Sequence, residues 1–167
     1  PSKGLKVLLG ALKNNGFLKL GLYSEIARQD IVKAMNYITS KKLYPKKDSI
    51  RSFRQKVISG ELSDLNSLQT LGDFYSMSQC RDLCFHANEH RFTISQLQAT
   101  LESNQLNFHG FLLPKPVKSK YKKCFPEDKT QTDLKNWSTF EEKYPNTFRA
   151  MYQFWVSKGD KKTKIEG

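Results

Sequence analysis

A chain of 167 residues, 38% apolar and 26% charged, is long enough for one domain with a single core and has an ordinary globular composition. No apolar run approaches the length of a membrane span, and no charged-then-apolar leader opens the sequence, so neither an anchored nor a secreted protein is expected. The net charge is +12, from 28 basic and 16 acidic residues. Such a balance suits a nucleic acid or another acidic partner, or simply a solvated lysine-rich surface. Only six of the 28 cations are arginine, the residue that forks phosphates and bases. The lysines gather at Lys41-Lys42, Lys46-Lys47, Lys118-Lys120-Lys122-Lys123 and Lys161-Lys162-Lys164, in stretches that read as loops or termini. A solvated surface is therefore expected ahead of a nucleic-acid site. The three cysteines, Cys80, Cys84 and Cys124, fit neither a disulfide framework nor C-x-x-C, which suits a reduced, cytoplasmic protein.

Leu5, Leu8, Leu9 and Leu12 recur at helical spacing, so residues 3–14 form an amphipathic helix that stops at Asn15-Gly16. The run FLKLGLY, 17–23, is apolar on both faces, the pattern of a buried strand in a parallel sheet. Ser24 follows as a helix N-cap, with Ile31, Met35 and Ile38 striping a helix to about residue 40. Asp48 caps a helix carrying Ile50, Phe53 and Val57 that ends at Gly60. Residues 61–80 are weakly patterned. Thr93 and Gln96 form a capping box ahead of Ile94, Leu97 and Leu101. A strand at 107–113 is closed by Pro114 and Pro116. VKSKYKKCFPEDKTQ reads as a basic, proline-containing loop, 132–144 as a helix with Leu134, Trp137 and Phe140, and 150–158 as the last strand. Residues 159–167 form a charged tail expected to be disordered. Strands interleaved with helices make an α/β fold. Three strands make a thin sheet, and the chain reads as the end of something larger.

The stretches NNGFLKLGLYSEIAR, CRDLCFHANEHRFTISQLQATLESNQLNFHGF and YPNTFRAMYQFWV resemble the C-terminal part of class I S-adenosylmethionine-dependent methyltransferases. The likeness is to the bacterial group in which that domain lies beside tetratricopeptide repeats, and it runs from about Gly4 to Lys158. Asn88 stands where the family commonly has Gln. The resemblance implies a seven-stranded Rossmann-like sheet of which residues 1–158 supply the fifth strand (17–23), the sixth (107–113) and the seventh. The seventh, 150–158, would lie antiparallel between the other two. Residues 24–92 would be a helical insertion over the acceptor side. The cofactor S-adenosylmethionine would need a G-x-G turn after a first strand, and no G-x-G follows any strand here. The resemblance therefore implies that the cofactor half lies upstream, that these residues by themselves are inactive, and that tetratricopeptide repeats may share the full-length chain. A non-catalytic binding or regulatory module with a lysine-rich surface is the alternative.

His86, Glu89 and His90 stand in the spacing H-x-x-E-H, which on one helix could hold zinc with the glutamate as base. A third ligand is not evident among Glu102, Glu141 and Glu142, and the capping box at Thr93 ends any such helix near His90. No metal is expected. The same residues with Arg91 could form an ion-paired cluster that ties the insertion to the sheet. The resemblance adds a third role, in which His86, Glu89 and His90 line the acceptor pocket and a histidine takes the acceptor's proton. Tyr23, Ser24 and Glu25 sit at the carboxyl end of a sheet strand, where α/β sheets bind ligands. Arg28 could meet an acidic acceptor or pair with Glu25 one turn back. Tyr75 and Arg81, with Ser76 and Asp82, are further acceptor-side candidates in the irregular part of the insertion. Trp137 and Trp155 are read as core, and Cys80 and Cys84 as buried thiols sharing a helix face. The methyl acceptor is not deducible. The apolar edge at 17–23 predicts dimerisation.

Overall fold

β-Branched and aromatic runs bounded by glycine, proline and cap residues set the strands, and 3.6-residue apolar stripes set the helices. The computed structural model describes residues 2–85 and 89–158. In chain order these form α1 (Ser2–Ala11), β1 (Phe17–Ser24), α2 (Gln29–Ser40), α3 (Lys47–Ile58), α4 (Met77–Cys84), β2 (Arg91–Phe92), α5 (Ile94–Ser103), β3 (Leu106–Phe111), α6 (Lys115–Cys124), α7 (Leu134–Lys143) and β4 (Tyr152–Lys158). Short 3-10 turns occupy Ser63–Thr70, Gly72–Tyr75 and Pro145–Phe148. The fold is mixed α/β, and the chain divides into two compact units, Pro1–Ala27 with His90–Gly167, and Arg28–Glu89.

The first unit is built on a four-stranded sheet in the order β2-β1-β4-β3. β1 and β3 both pair antiparallel with β4, which lies between them, so they run in the same direction. β2 adds a short parallel pairing, Tyr23 opposite Arg91 and Ser24 opposite Phe92, that the sequence reading lacks because two residues leave no period. Tyr152, Phe154 and Val156 alternate inward along β4 and are fully buried. Against them pack Ile94, Leu97 and Leu101 of α5 and Trp137 and Phe140 of α7. Each buried aliphatic or phenyl side chain here contributes roughly 1.5–3 kcal/mol relative to exposure. The capping box of α5 is present in both directions: Gln96 N–H donates to Thr93 Oγ1 at 3.2 Å, and Thr93 N–H to Gln96 Oε1 at 3.0 Å. Gly110, at φ 95°, takes the irregularity in β3 where its pairing with β4 shifts between Phe108 and Phe111.

Several expectations need correction. β1 is not buried on both faces: Leu18, Leu20 and Leu22 face the core, while Phe17, Lys19 and Gly21 are exposed. Its pairing with an antiparallel β4, one face in and one face out, explains the difference. Trp155 belongs to the outward face of β4, opposite Lys19, and is 38% exposed, whereas Trp137 is fully buried. The basic stretch expected as a loop is the helix α6. Pro116 sits in its first turn, where no N–H is needed, and Val117 and Tyr121 turn to the core one turn apart. The tyrosine ring stacks on Trp137 with centroids 3.7 Å apart and planes at 16°, and its hydroxyl donates to Asp128 at 2.5 Å. The lysines around that single apolar pair hid the helical period.

The second unit holds α2, α3, α4 and two of the 3-10 turns around its own core of Ile31, Ile38, Phe53, Val57, Leu68 and Phe74. Asp48 lies within the first turn of α3 and gives no side-chain cap; Lys46 occupies the N-cap position. Gly60, at φ 81°, follows α3 and closes it as expected. No helix of the described residues is long and apolar enough to cross a membrane.

Candidate functional site

β1 delivers Tyr23, Ser24 and Glu25 to its carboxyl end, and the turn 25–28 follows. Ser24 is fully buried. Its hydroxyl donates to Glu141 Oε1 at 2.5 Å and accepts the Ala27 N–H at 2.9 Å, so it caps the turn rather than α2, whose N-cap residue is Arg28. The other carboxylate oxygen of Glu141 accepts the Tyr152 hydroxyl at 2.6 Å. One buried carboxylate thus ties β1, β4 and α7 together. Burial pushes the Glu141 carboxyl above its usual range, against the two hydrogen bonds that favour its charged form. Burial, and the hydrogen bond to Glu141, also hold the Tyr152 hydroxyl protonated well beyond the usual phenol range. With both oxygens filled by protein donors and no exposed surface, Glu141 positions the sheet and does not meet solvent.

Glu141 is the residue that sequence reading passed over. Its signal was legible: Leu134, Trp137 and Glu141 fall at i, i+3 and i+7, which places a carboxylate on the buried stripe of α7. A charge on an apolar stripe calls for partners, and Ser24 and Tyr152 are those partners.

The solvent-facing chemistry at this end of the sheet belongs to Glu25 and Arg91. Glu25 N–H donates to the Phe92 carbonyl at 2.8 Å, which extends the β1–β2 pairing. Arg91 Nε donates to Glu25 Oε2 at 3.1 Å, with side-chain exposures of 22% and 40%. Tyr23 lies half-buried beside them, opposite Arg91. His90 is exposed and adjoins the pair in sequence.

Two ion pairs engage the charged residues of this stretch. Glu25 takes Arg91, and Arg28 takes Glu89. Within the second unit, Arg28 Nε donates to Glu89 Oε1 at 2.8 Å, and Nη2 closes on Oε2 to complete a two-point fork. Tyr75 is exposed, its hydroxyl donating to the Gln69 carbonyl at 3.1 Å, and Arg81 is exposed beside Asp82. Cys80 and Cys84 share the buried face of α4. The hydrogen bond between the two thiols holds the pKa of Cys80 below the usual thiol value and pushes that of Cys84 above it, with burial adding to the latter.

The H-x-x-E-H spacing does not lie on one helix. α4 ends at Cys84, Glu89 is engaged by Arg28, and His90 lies outside any helix. His86 lies outside the described residues. In the first unit, a recess of about 490 Å³ between α1, α5 and the sheet is lined by leucine and phenylalanine. Gly4 and Thr100, whose hydroxyl donates to the Gln96 carbonyl at 2.8 Å, complete the lining, which carries no titratable group.

At the ends of β1 and β3 the described residues do not fit S-adenosylmethionine. The turns after β1 and β3 read Glu25-Ile26-Ala27-Arg28 and Leu112-Leu113-Pro114, without the glycines that let a backbone approach a nucleoside at a sheet edge. Comparison with protein-family models yields no match, and comparison with curated proteins yields none either.

Proposed function

We propose that the chain is the acceptor-side portion of an S-adenosylmethionine-dependent methyltransferase and supplies the fifth (β1), sixth (β3) and seventh (β4) strands of a seven-stranded sheet. The observation that supports this reading is the reversal of β4 between two strands that run the same way. That order answers the resemblance carried by GLYSE, FHANEHRFT and MYQFWV. In this reading the outer edge of β1, paired by β2 only at Tyr23 and Ser24 among the described residues, receives the fourth strand. The helical unit Arg28–Glu89 is the insertion on the acceptor side. The cofactor is held by an upstream half that contributes the glycine turn.

This chain's own residues then have separable roles. Tyr23, Glu25 and Arg91 orient a polar acceptor at the carboxyl end of β1. His90 takes the acceptor's proton at a ring nitrogen. Arg28 and Glu89 are positioning residues that join the two ends of the insertion. The test is to express the 167 residues with and without the coding sequence upstream of Pro1, and to follow S-adenosylmethionine binding by calorimetry and methyl transfer to extracted bacterial protein with a radiolabelled donor. The longer chain binds and transfers while the 167 residues do neither. His90→Gln in the longer chain leaves cofactor binding intact and slows transfer by about 10²–10⁴-fold. A longer chain with no glycine turn, or with one and no binding, overturns the reading.

A further inference from the structure

α6 reads KPVKSKYKKC and carries five lysines and no acidic residue. None of the five forms an ion pair among the described residues. At 100° per residue, Lys115, Lys118 and Lys122 fall at i, i+3 and i+7 and make one stripe, with Lys123 toward the same side and Lys120 on the far flank of the helix. Lys115, Lys122 and Lys123 lie away from Val117 and Tyr121, the pair that anchors the helix to the core, while Lys118 and Lys120 border that pair on either side. Lys115, Lys120, Lys122 and Lys123 are exposed. α7 extends the basic surface: Lys120 Nζ stands 3.4 Å from the centroid of the Tyr144 ring, and Lys143 Nζ reaches the same ring at 5.7 Å. Of the two carboxylates that follow α6, Glu127 and Asp128, the second is occupied. Asp128 accepts from the Tyr121 and Thr130 hydroxyls and from the Thr132 and Asp133 amides.

Like charges three and four residues apart destabilise a helix. Here the repulsion is tolerated on a helix held by Tyr121 and Val117, which leaves a helix about 15 Å long with the stripe of Lys115, Lys118 and Lys122 and the adjacent Lys123 along its length. A duplex nucleic acid presents one phosphate charge per about 1.7 Å of axis, so the stripe matches a run of phosphates in length and in sign. The exposed face of α6 has no aromatic side chain on which to stack single-stranded bases. It also has no large apolar side chain to insert between lipid headgroups, its exposed apolar residues being Pro116 and Cys124. We propose that α6, with Lys143 beside it, is a docking surface for the phosphate backbone of a double-stranded nucleic acid, bound without regard to sequence. The lysine run expected as a solvated loop becomes, once helical, an ordered array. The proposal does not depend on the methyltransferase reading, since it concerns a different surface and needs no cofactor.

The experiment is fluorescence anisotropy of a labelled 16-base-pair DNA duplex with the 167-residue chain over 50–200 mM salt. Binding weakens with a log–log slope of about −3 to −4, as three or four phosphate contacts require. Lys115→Glu/Lys122→Glu weakens binding at 50 mM salt by at least about tenfold and flattens the slope by about 2. The control Lys46→Glu/Lys47→Glu makes the same change in net charge on the helical unit and shifts affinity less than about threefold. An unchanged near-ultraviolet dichroism from the Tyr121–Trp137 stack shows that the α6 variant is folded. Equal losses in the two variants mean a diffuse effect of net charge and overturn the proposal. So does capture by vesicles containing phosphatidylserine with no binding to the duplex.

Discussion

Arg28 and Glu89, the first and last residues of the helical unit, close on each other through a two-point fork, with side-chain exposures of 6% and 9%. Sixty-one residues apart in sequence, they bring the two ends of that unit together. Removing one partner leaves the other charge buried, so Arg28→Ala or Glu89→Ala costs about 3–5 kcal/mol in denaturant unfolding. The double variant Arg28→Met/Glu89→Leu recovers most of that loss, because no uncompensated charge remains. A double variant as unstable as the singles would show that the fork acts through its geometry and not through paired burial.

Glu141 couples stability to pH. Its folded carboxyl titrates above the unfolded one, with burial the leading cause. The folded state therefore binds the proton more tightly, and the stability this contributes is present in acid and lost as pH rises through the folded value. Glu141→Gln mimics the protonated form. The stability difference between Glu141→Gln and the parent moves in favour of the glutamine as pH rises from about 4 toward neutrality. Urea unfolding at a series of pH values reads it. A pH-independent difference would mean that the carboxyl titrates alike in the folded and unfolded chain.

The two tryptophans separate cleanly. Trp137→Ala empties the centre of the aromatic cluster and costs about 3–5 kcal/mol. Trp155→Ala, on the outward face of β4, stays within about 0.5 kcal/mol in the isolated chain. Thermal and denaturant melts of both variants decide this. A large loss at Trp155 would mean that the outward face is covered in solution.

Thr93→Ala removes a reciprocal cap at the start of α5 and lowers stability by about 1 kcal/mol. Thr93→Ser restores it. Both follow from equilibrium unfolding, and equal effects of Ala and Ser would rule out capping as the cause.

Among the described residues the outer edge of β1 is paired only at Tyr23 and Ser24, and Phe17, at the start of the strand, is exposed. The 167-residue chain is expected to self-associate through this edge in sedimentation velocity at high concentration, and Phe17→Lys shifts it toward monomer. A parent chain that stays monomeric at every concentration would show that the edge is blunted by other means.

The residue pattern alone determines where most elements lie. β1, β4, α5 and α7 follow from alternation, periodicity and caps, because these signals are local and strong. The net charge of +12 is equally a property of composition. The folded chain decides what each element faces. Nothing local distinguishes Trp155 from Trp137; the distinction comes from the register that sets Trp155 opposite Lys19 on the outer face. Nothing local joins Arg28 to Glu89, or Ser24 and Tyr152 to Glu141, because those partners are brought together by chain closure over 61, 117 and 11 residues. α6 shows the same division. Its lysines are plain in the sequence, but whether they form a solvated loop or an aligned ridge rests on two inward side chains, Val117 and Tyr121. Their helical phase has meaning only once Trp137 is there to receive them. Short-range patterns encode conformation; burial and pairing are long-range, and only tertiary structure supplies the partners.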